Sequence, residues 1–284
     1  MLPPVMYFIV FKYWPMYGVQ IAFKDFNARL GMWESPWVGF EHFERFFNAY
    51  NFEAIVMNTI YLSVFNLLIA FPIPIVIAIL LNQLMRQRLK KFIQTTIYAP
   101  YFISTVVLVG MIFVFLSPSS GVINHLIQLF GGEPILFMAK AEWFRPLYIL
   151  STVWQETGWS SIIYLAALAG VDPHLHEAAV VDGANKWQRV RHIDLPSIMP
   201  TIMVLFILAI GNLMNVGFEK VFLMQTNLNV ESSEIIPTYV YKMGIQRAQY
   251  SFSAAIGLFN AVINLVLLIM VNRAAKKING NSLF

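Results

Sequence analysis

Glu177-Ala178-Ala179, Asp182-Gly183 and, ten residues further, Ile193-Asp194-Leu195-Pro196 combine residue types suited to one task. Asp172-Pro173 supplies an N-cap carboxylate and then a proline at the first helical position, where a missing N–H costs nothing. The pattern predicts a helix from Pro173 through Asp182, closed by Gly183, a residue able to take positive φ. Ala178 and Ala179 keep one face thin, so another protein surface can approach the backbone closely. A second short helix over about 185–192 should follow, with Trp187, Val190 and Ile193 turned toward the apolar part of the chain. Pro196 and Pro200 mark the entry into the next apolar segment. A polar helix between two strongly apolar segments suits a peg gripped by a soluble partner. The plainer alternative is a well-capped loop helix with no partner.

Other chemistry is poorly provided for. His174 and His176 stand at i, i+2, which point apart on a helix, and no other Cys/His cluster completes a metal site. No catalytic residues are identifiable, because no Ser/His/Asp set accompanies a recognisable nucleophile motif. The absence of cysteine excludes disulfides, thiolate ligands and thiol catalysis together. A second polar set lies within apolar stretches, where a central carboxylate costs roughly 2.5–3.5 kcal/mol and so normally faces protein or water. It comprises Gln155, Glu156 and Trp159, then Asn212, Asn215 and Glu219 at i, i+3 and i+7 on one expected helix face, then Asn260 and Asn264. These offer amide and carboxylate partners for hydroxyls and an aromatic plate for a sugar ring, and so form a candidate substrate pathway. Interhelical hydrogen bonding is the alternative for each asparagine, and pairing with Lys220 near the outer interface is the alternative for Glu219. Pro72, Pro74 and Pro100 read as packing kinks.

The elements that must position these groups are membrane helices. The chain is 58% hydrophobic and only 12% charged, about half the charge of a soluble domain. The class is all-α, a polytopic membrane protein with six transmembrane helices near 1–23, 58–81, 95–116, 144–170, 198–223 and 252–271. Arg86, Arg88, Lys90 and Lys91 fall between spans two and three. Lys186, Arg189 and Arg191 fall between four and five, and Arg273, Lys276 and Lys277 follow six. All lie on one side, which the positive-inside rule makes cytoplasmic, with both termini. The opposite loops carry Trp33, Trp37 and Trp143 as candidate interfacial anchors. The net charge of +4 is loop bias and not a nucleic-acid footprint. The whole of 1–284 reads as one transmembrane domain, with the polar loop at about 171–197 and an N-terminal cytoplasmic tail expected beyond the start of this sequence.

Glu-Ala-Ala, Asp-Gly-Ala, Ile-x-Leu-Pro and the distal Pro200 together resemble the EAA loop of binding-protein-dependent ABC importer permeases. Segments Tyr13–Phe26, Ala99–Ser104 and Trp154–Trp159 look like those of carbohydrate-type members, closest to the subgroup importing complex oligosaccharides such as aldouronate or pectin-derived glycans. Arg191-His192 departs from the aromatic residue that many members carry there. The resemblance implies a type I importer fold whose coupling helix meets an ATPase through Glu177, Ala178, Ala179, Asp182, Gly183, Lys186, Arg189, Ile193, Leu195 and Pro196. Lys186, Arg189 and Arg191 either pair with acidic ATPase residues or serve as solvated orientation charge.

It also implies a bacterial plasma-membrane location, a homologous second permease, a cytoplasmic ATPase dimer, an extracellular solute-binding protein and an oligosaccharide cargo. The same machine carrying a peptide or polyamine is an alternative, as is an ion-coupled secondary carrier. No Gly-x4-Gly-Lys-Ser/Thr loop occurs, so no cofactor is expected in this chain, with ATP and Mg held by the partner. The purified chain alone is therefore expected neither to bind nor to hydrolyse ATP. Nucleotide binding by the isolated chain in equilibrium dialysis would contradict this.

Overall fold

The computed structural model describes residues 2–279. The chain opens with a helical run in which α1 (Leu2–Phe8) passes through a π turn (Ile9–Tyr13) into a 3-10 stretch (Trp14–Phe23). Two short helices, α2 (Gly31–Glu34) and α3 (Glu41–Phe47), lead into α4 (Phe52–Ala70). With α5 (Pro72–Asn82) this forms a 31-residue apolar run, Phe52–Asn82. Pro72 lies in the first turn of α5, where its missing N–H is tolerated.

Span three was expected to be one helix, and it is instead broken. α6 (Gln87–Tyr98) and a 3-10 turn (Ala99–Phe102) meet α7 (Thr105–Phe115) at a bend of 97°. Pro100 can donate no backbone hydrogen bond, and Ser104 is extended (ψ 151°) while its hydroxyl accepts from the Val107 N–H to start α7. α8 (Val122–Leu129) is followed by α9 (Ala141–Ala169), a 29-residue helix with Pro146 inside it. Then come α10 (Pro173–Val181), α11 (Lys186–Arg189), a π turn (Val190–Asp194) and α12 (Leu195–Gly211). The chain closes with α13 (Phe218–Met224), α14 (Val230–Ser233), α15 (Ile236–Tyr241), a π turn (Lys242–Gln246) and α16 (Tyr250–Asn279). Among the described residues no β-strand forms, and Lys24 and Trp37 make an isolated antiparallel bridge.

Among the described residues three helices are long and apolar enough to cross a membrane, Phe52–Asn82, Lys186–Gly211 and Tyr250–Lys277, or four if the bent pair is one span. The expected fourth span corresponds to α9, about 44 Å long at 1.5 Å per residue, whose Glu142, Arg145 and Glu156 lower its apolarity. The expected first span is helical but changes helical type twice. The expected fifth span, 198–223, ends early: α12 stops at Gly211, and helix resumes only at Phe218.

α9 is the axis of the bundle. Its N-terminal half carries Phe144, Tyr148 and Ile149 into a core with Leu62, Val109 and Met224. Its C-terminal half packs Tyr164 and Leu168 against Ile75, Ala78 and Ile198. Between these, Gly158 brings α9 against α6 so tightly that a Cβ would lie 1.9 Å from the Ile97 carbonyl oxygen. In lipid such backbone approach stabilises helix pairs by van der Waals contact, because apolar burial between helices gains little there.

One end of the molecule is knit from loops remote in sequence. The Phe26 N–H donates to Ser251 Oγ at 2.9 Å, Arg45 to Gln249 Oε1 at 2.9 Å, and Ser232 Oγ to the Ala141 carbonyl at 2.8 Å. The other end holds α10 and the basic 86–91 segment. Gly158→Ala is expected to cost about 1–3 kcal/mol, as overpacking does, and to lower the thermal midpoint in detergent. Gly257→Ala meets open space on α16 and should be neutral or gain up to about 1 kcal/mol in helix propensity.

Candidate functional site

The predicted peg is present with both of its caps. Asp172 accepts the His174 N–H at 3.0 Å, Pro173 starts α10, and Gly183 has φ +79°. The Ala184 N–H reaches the Ala179 carbonyl at 2.8 Å and the Gly183 N–H reaches that of Val180 at 3.0 Å, the paired closure of a Schellman motif. Such capping matters because an isolated nine-residue helix is marginal in water. α10 buries none of its residues. Glu177, Ala178, Asp182 and Gly183 are exposed and Ala179 is half-buried. Leu175, Val180 and Val181 are 50%, 54% and 87% exposed, apolar side chains spread around a helix at the basic end of the bundle. The two histidines diverge: His174 Nδ1 lies 3.3 Å from Glu177 Oε2, whereas His176 turns toward Asp194.

The second helix differs from its expected form. Asn185 and Gln188 form a reciprocal capping box, with the Asn185 N–H donating at 2.7 Å and the Gln188 N–H at 2.9 Å. α11 then runs through the π turn directly into α12, so 186–211 is one continuous rod. Val190 is buried and Ile193 half-buried as expected, but Trp187 is 71% exposed. The π turn inserts one extra residue, which rotates the preceding turn by about 100° relative to α12. Lys186 and Pro196 are exposed, and Arg189 and Leu195 half-buried. A groove of about 310 Å³ between α10 and α11 is lined by Ala179, Asp182, Gly183, Gln188, Arg189 and His192. Asp194, the unspecified position of Ile-x-Leu-Pro, is fully buried. Its Oδ2 accepts from Gln83 Nε2 at 3.0 Å, and its Oδ1 lies 3.2 Å from His176 Nε2.

Within the bundle the polar residues divide into two groups. Glu156, Asn212 and Asn215 meet Ser63, Asn66 and Thr152 around a cavity of about 240 Å³. The single helix face expected for Asn212, Asn215 and Glu219 does not exist. Asn212 is the C-cap of α12 (φ −112°), Asn215 lies in the non-helical connection, and Glu219 starts α13, exposed and away from the cavity. Asn260 and Asn264 instead satisfy that break: Asn264 Oδ1 accepts the Met214 N–H at 3.0 Å, and Asn260 Nδ2 donates to Asn215 Oδ1 at 2.9 Å. Gln155 Nε2 donates to the Ile103 carbonyl at 2.8 Å, serving the bend of span three in the same way. Trp159 stacks on Tyr101 with centroids 4.6 Å apart and rings 4° from parallel.

Lys220 does not pair with Glu219. It is buried, donates to Thr152 Oγ1 at 2.8 Å and lies 5.2 Å from the Tyr148 ring centre. Thr152 was missed in the sequence, and Lys220 was read only as a partner for Glu219. A lysine flanked by Phe218, Val221 and Phe222 was the available signal.

Residues 70–280 match a family described as the binding-protein-dependent transport system inner membrane component. Protein LplB of Bacillus subtilis (strain 168) is 47% identical over all of this chain and 89% of its own. The polygalacturonan/rhamnogalacturonan transport system permease protein YteP of the same organism is 48% identical over 100% of this chain and 88% of its own. A chain of the bacterial alginate ABC transporter, solved in complex with an alginate pentasaccharide-bound periplasmic protein, superimposes with TM-score 0.92 at 39% identity, covering 99% of this chain and 94% of that one.

Asp172→Ala should cost α10 about 0.5–2 kcal/mol through its lost cap, and Gly183→Val about 1–2 kcal/mol through the left-handed backbone. Hydrogen exchange over 173–182 is expected to accelerate in both while α12 stays protected, with Gly183→Asn affected less.

Proposed function

The chain belongs to the family of inner membrane components of binding-protein-dependent transport systems, and we propose that it lines part of the translocation pathway of an ATP-driven oligosaccharide importer. The observation that carries this reading is α10, a doubly capped helix that exposes Glu177 together with the apolar Leu175, Val180 and Val181 at the basic end of the bundle. A surface of that composition is suited to a soluble partner. With no phosphate-cradling loop in the sequence, the partner we assign is a cytoplasmic ATPase dimer that holds ATP and Mg. Closure of that dimer would move α10 and, through the continuous 186–211 rod, tilt span five.

The named relatives favour an oligosaccharide over a peptide or polyamine as cargo, since one is a polygalacturonan/rhamnogalacturonan permease and another belongs to an alginate transporter. The alginate complex also supports an extracellular solute-binding protein as the delivering partner. Family membership argues against a self-powered ion-coupled carrier. The cargo-facing residues we assign are Glu156, Asn212 and Asn215 at the 240 Å³ cavity, with Trp159, stacked on Tyr101 one turn further along α9, as an aromatic surface. Gln155, Asn260 and Asn264 support the pathway by holding the broken backbone. Glu219, exposed beyond the break, is left as a residue of the outer mouth.

A homologous second permease would close the open side of the cavity. Location in the bacterial plasma membrane with both termini cytoplasmic agrees with the basic 86–91 segment lying at the same end as α10. The test is Glu177→Trp in liposomes containing the full transporter and loaded binding protein. Membrane insertion should be unchanged, while oligosaccharide uptake per ATP hydrolysed falls about tenfold, the outcome expected when the force-receiving contact is lost. Uptake that stays fully coupled would refute the docking role.

A further inference from the structure

We propose that Asp194 is a positioning residue that latches the coupling helix to the membrane bundle, acting through His176 on α10 and Gln83 at the end of α5. The proposal rests on the reading of α10 as the element that receives force.

α10 is poorly anchored by its backbone. It buries no residue, and both of its connections contain a glycine: Gly170 before it and Gly183 after it. Chain linkers of that kind bend when pushed, so force applied to Glu177 needs a lateral route into the bundle.

The side chains supply one. Asp194 is fully buried, with Gln83 Nε2 at 3.0 Å from Oδ2 and His176 Nε2 at 3.2 Å from Oδ1. The His176 approach is within ion-pair distance but off hydrogen-bond alignment. Without the imidazole, Oδ1 has no polar partner at all, which a buried carboxylate oxygen tolerates poorly. Three elements therefore meet on one carboxylate: the peg, the start of span five and the cytoplasmic end of span two. The π turn Val190–Asp194 ends on this carboxylate, and one residue fewer would rotate α11 and the chain leading back to α10 by about 100° relative to it. Single-turn π insertions of this kind recur where a side chain must be re-aimed for a task. The latch also explains how a displacement of α10 reaches span two, with which it shares no direct chain connection.

The absence of native cysteine allows a clean distance measurement. Spin labels are placed at Val181→Cys and Met85→Cys, both close to nine-tenths exposed, in the purified full chain in detergent, where no partner covers α10. The parent is expected to give one narrow distance distribution by pulsed electron resonance. His176→Ala, Gln83→Leu and Asp194→Leu should each lose that single narrow peak. His176→Gln, which keeps a donor at similar reach, should restore it. The His176→Ala/Asp194→Leu double variant should be no broader than Asp194→Leu alone. If Asp194→Leu does not fold, the half-exposed His176 and the helix-end Gln83 carry the test alone. A distribution that stays narrow in His176→Ala and Gln83→Leu overturns the latch even if Glu177→Trp uncouples transport. Broadening in both, with Glu177→Trp still coupled, upholds the latch and sinks only the docking role.

Discussion

A hydrocarbon core offers no water to backbone groups, so each place where this chain leaves the helix must be answered by another part of the protein. The two breaks inside the bundle follow that constraint. At the bend near Pro100, the exposed Ile103 carbonyl takes the amide of Gln155 from α9. At the break after Gly211, the freed Met214 N–H goes to Asn264, and Asn260 holds Asn215. These amides fix where the irregular segments lie, and the irregular segments in turn shape the polar cavity at Glu156, Asn212 and Asn215. Non-helical backbone at membrane depth is tolerated where it lines a cavity, and that is where it occurs here.

The end that carries α10 solves a different problem with similar means. A nine-residue helix in water has little intrinsic stability, and α10 is held by Asp172 at its start and by the positive φ of Gly183 at its end. The same exposed helix then keeps its acidic and apolar side chains free for a partner. The rod from Lys186 to Gly211 is continuous from the segment that follows α10 to the cavity wall, the geometry of a lever.

Much of the peg was legible because caps are local: Asp172, Pro173 and Gly183 carry their meaning within a dozen residues. The polar middle of α9 was legible too, since Glu156 and Trp159 stand out in an apolar helix. What escaped reading depended on distant partners or on helix phase. Trp187 faces outward because of a π turn that hydropathy does not register. Asn212, Asn215 and Glu219 share a helical spacing, yet the apolar run continues straight through a break that only Gly211 and Gly217 hint at. Asp194 looked like a neutral position in its motif because Gln83, which explains its burial, is 111 residues away.

The central claim is that an intracellular helix passes force from a separate nucleotide-driven motor to the bundle. An electron-cryomicroscopy structure of the assembled transporter tests it most directly. The account predicts residues 173–192 seated in a cleft of the ATPase, with Glu177 at the contact. Finding that segment free in solvent, or on the outer side of the membrane, would contradict it.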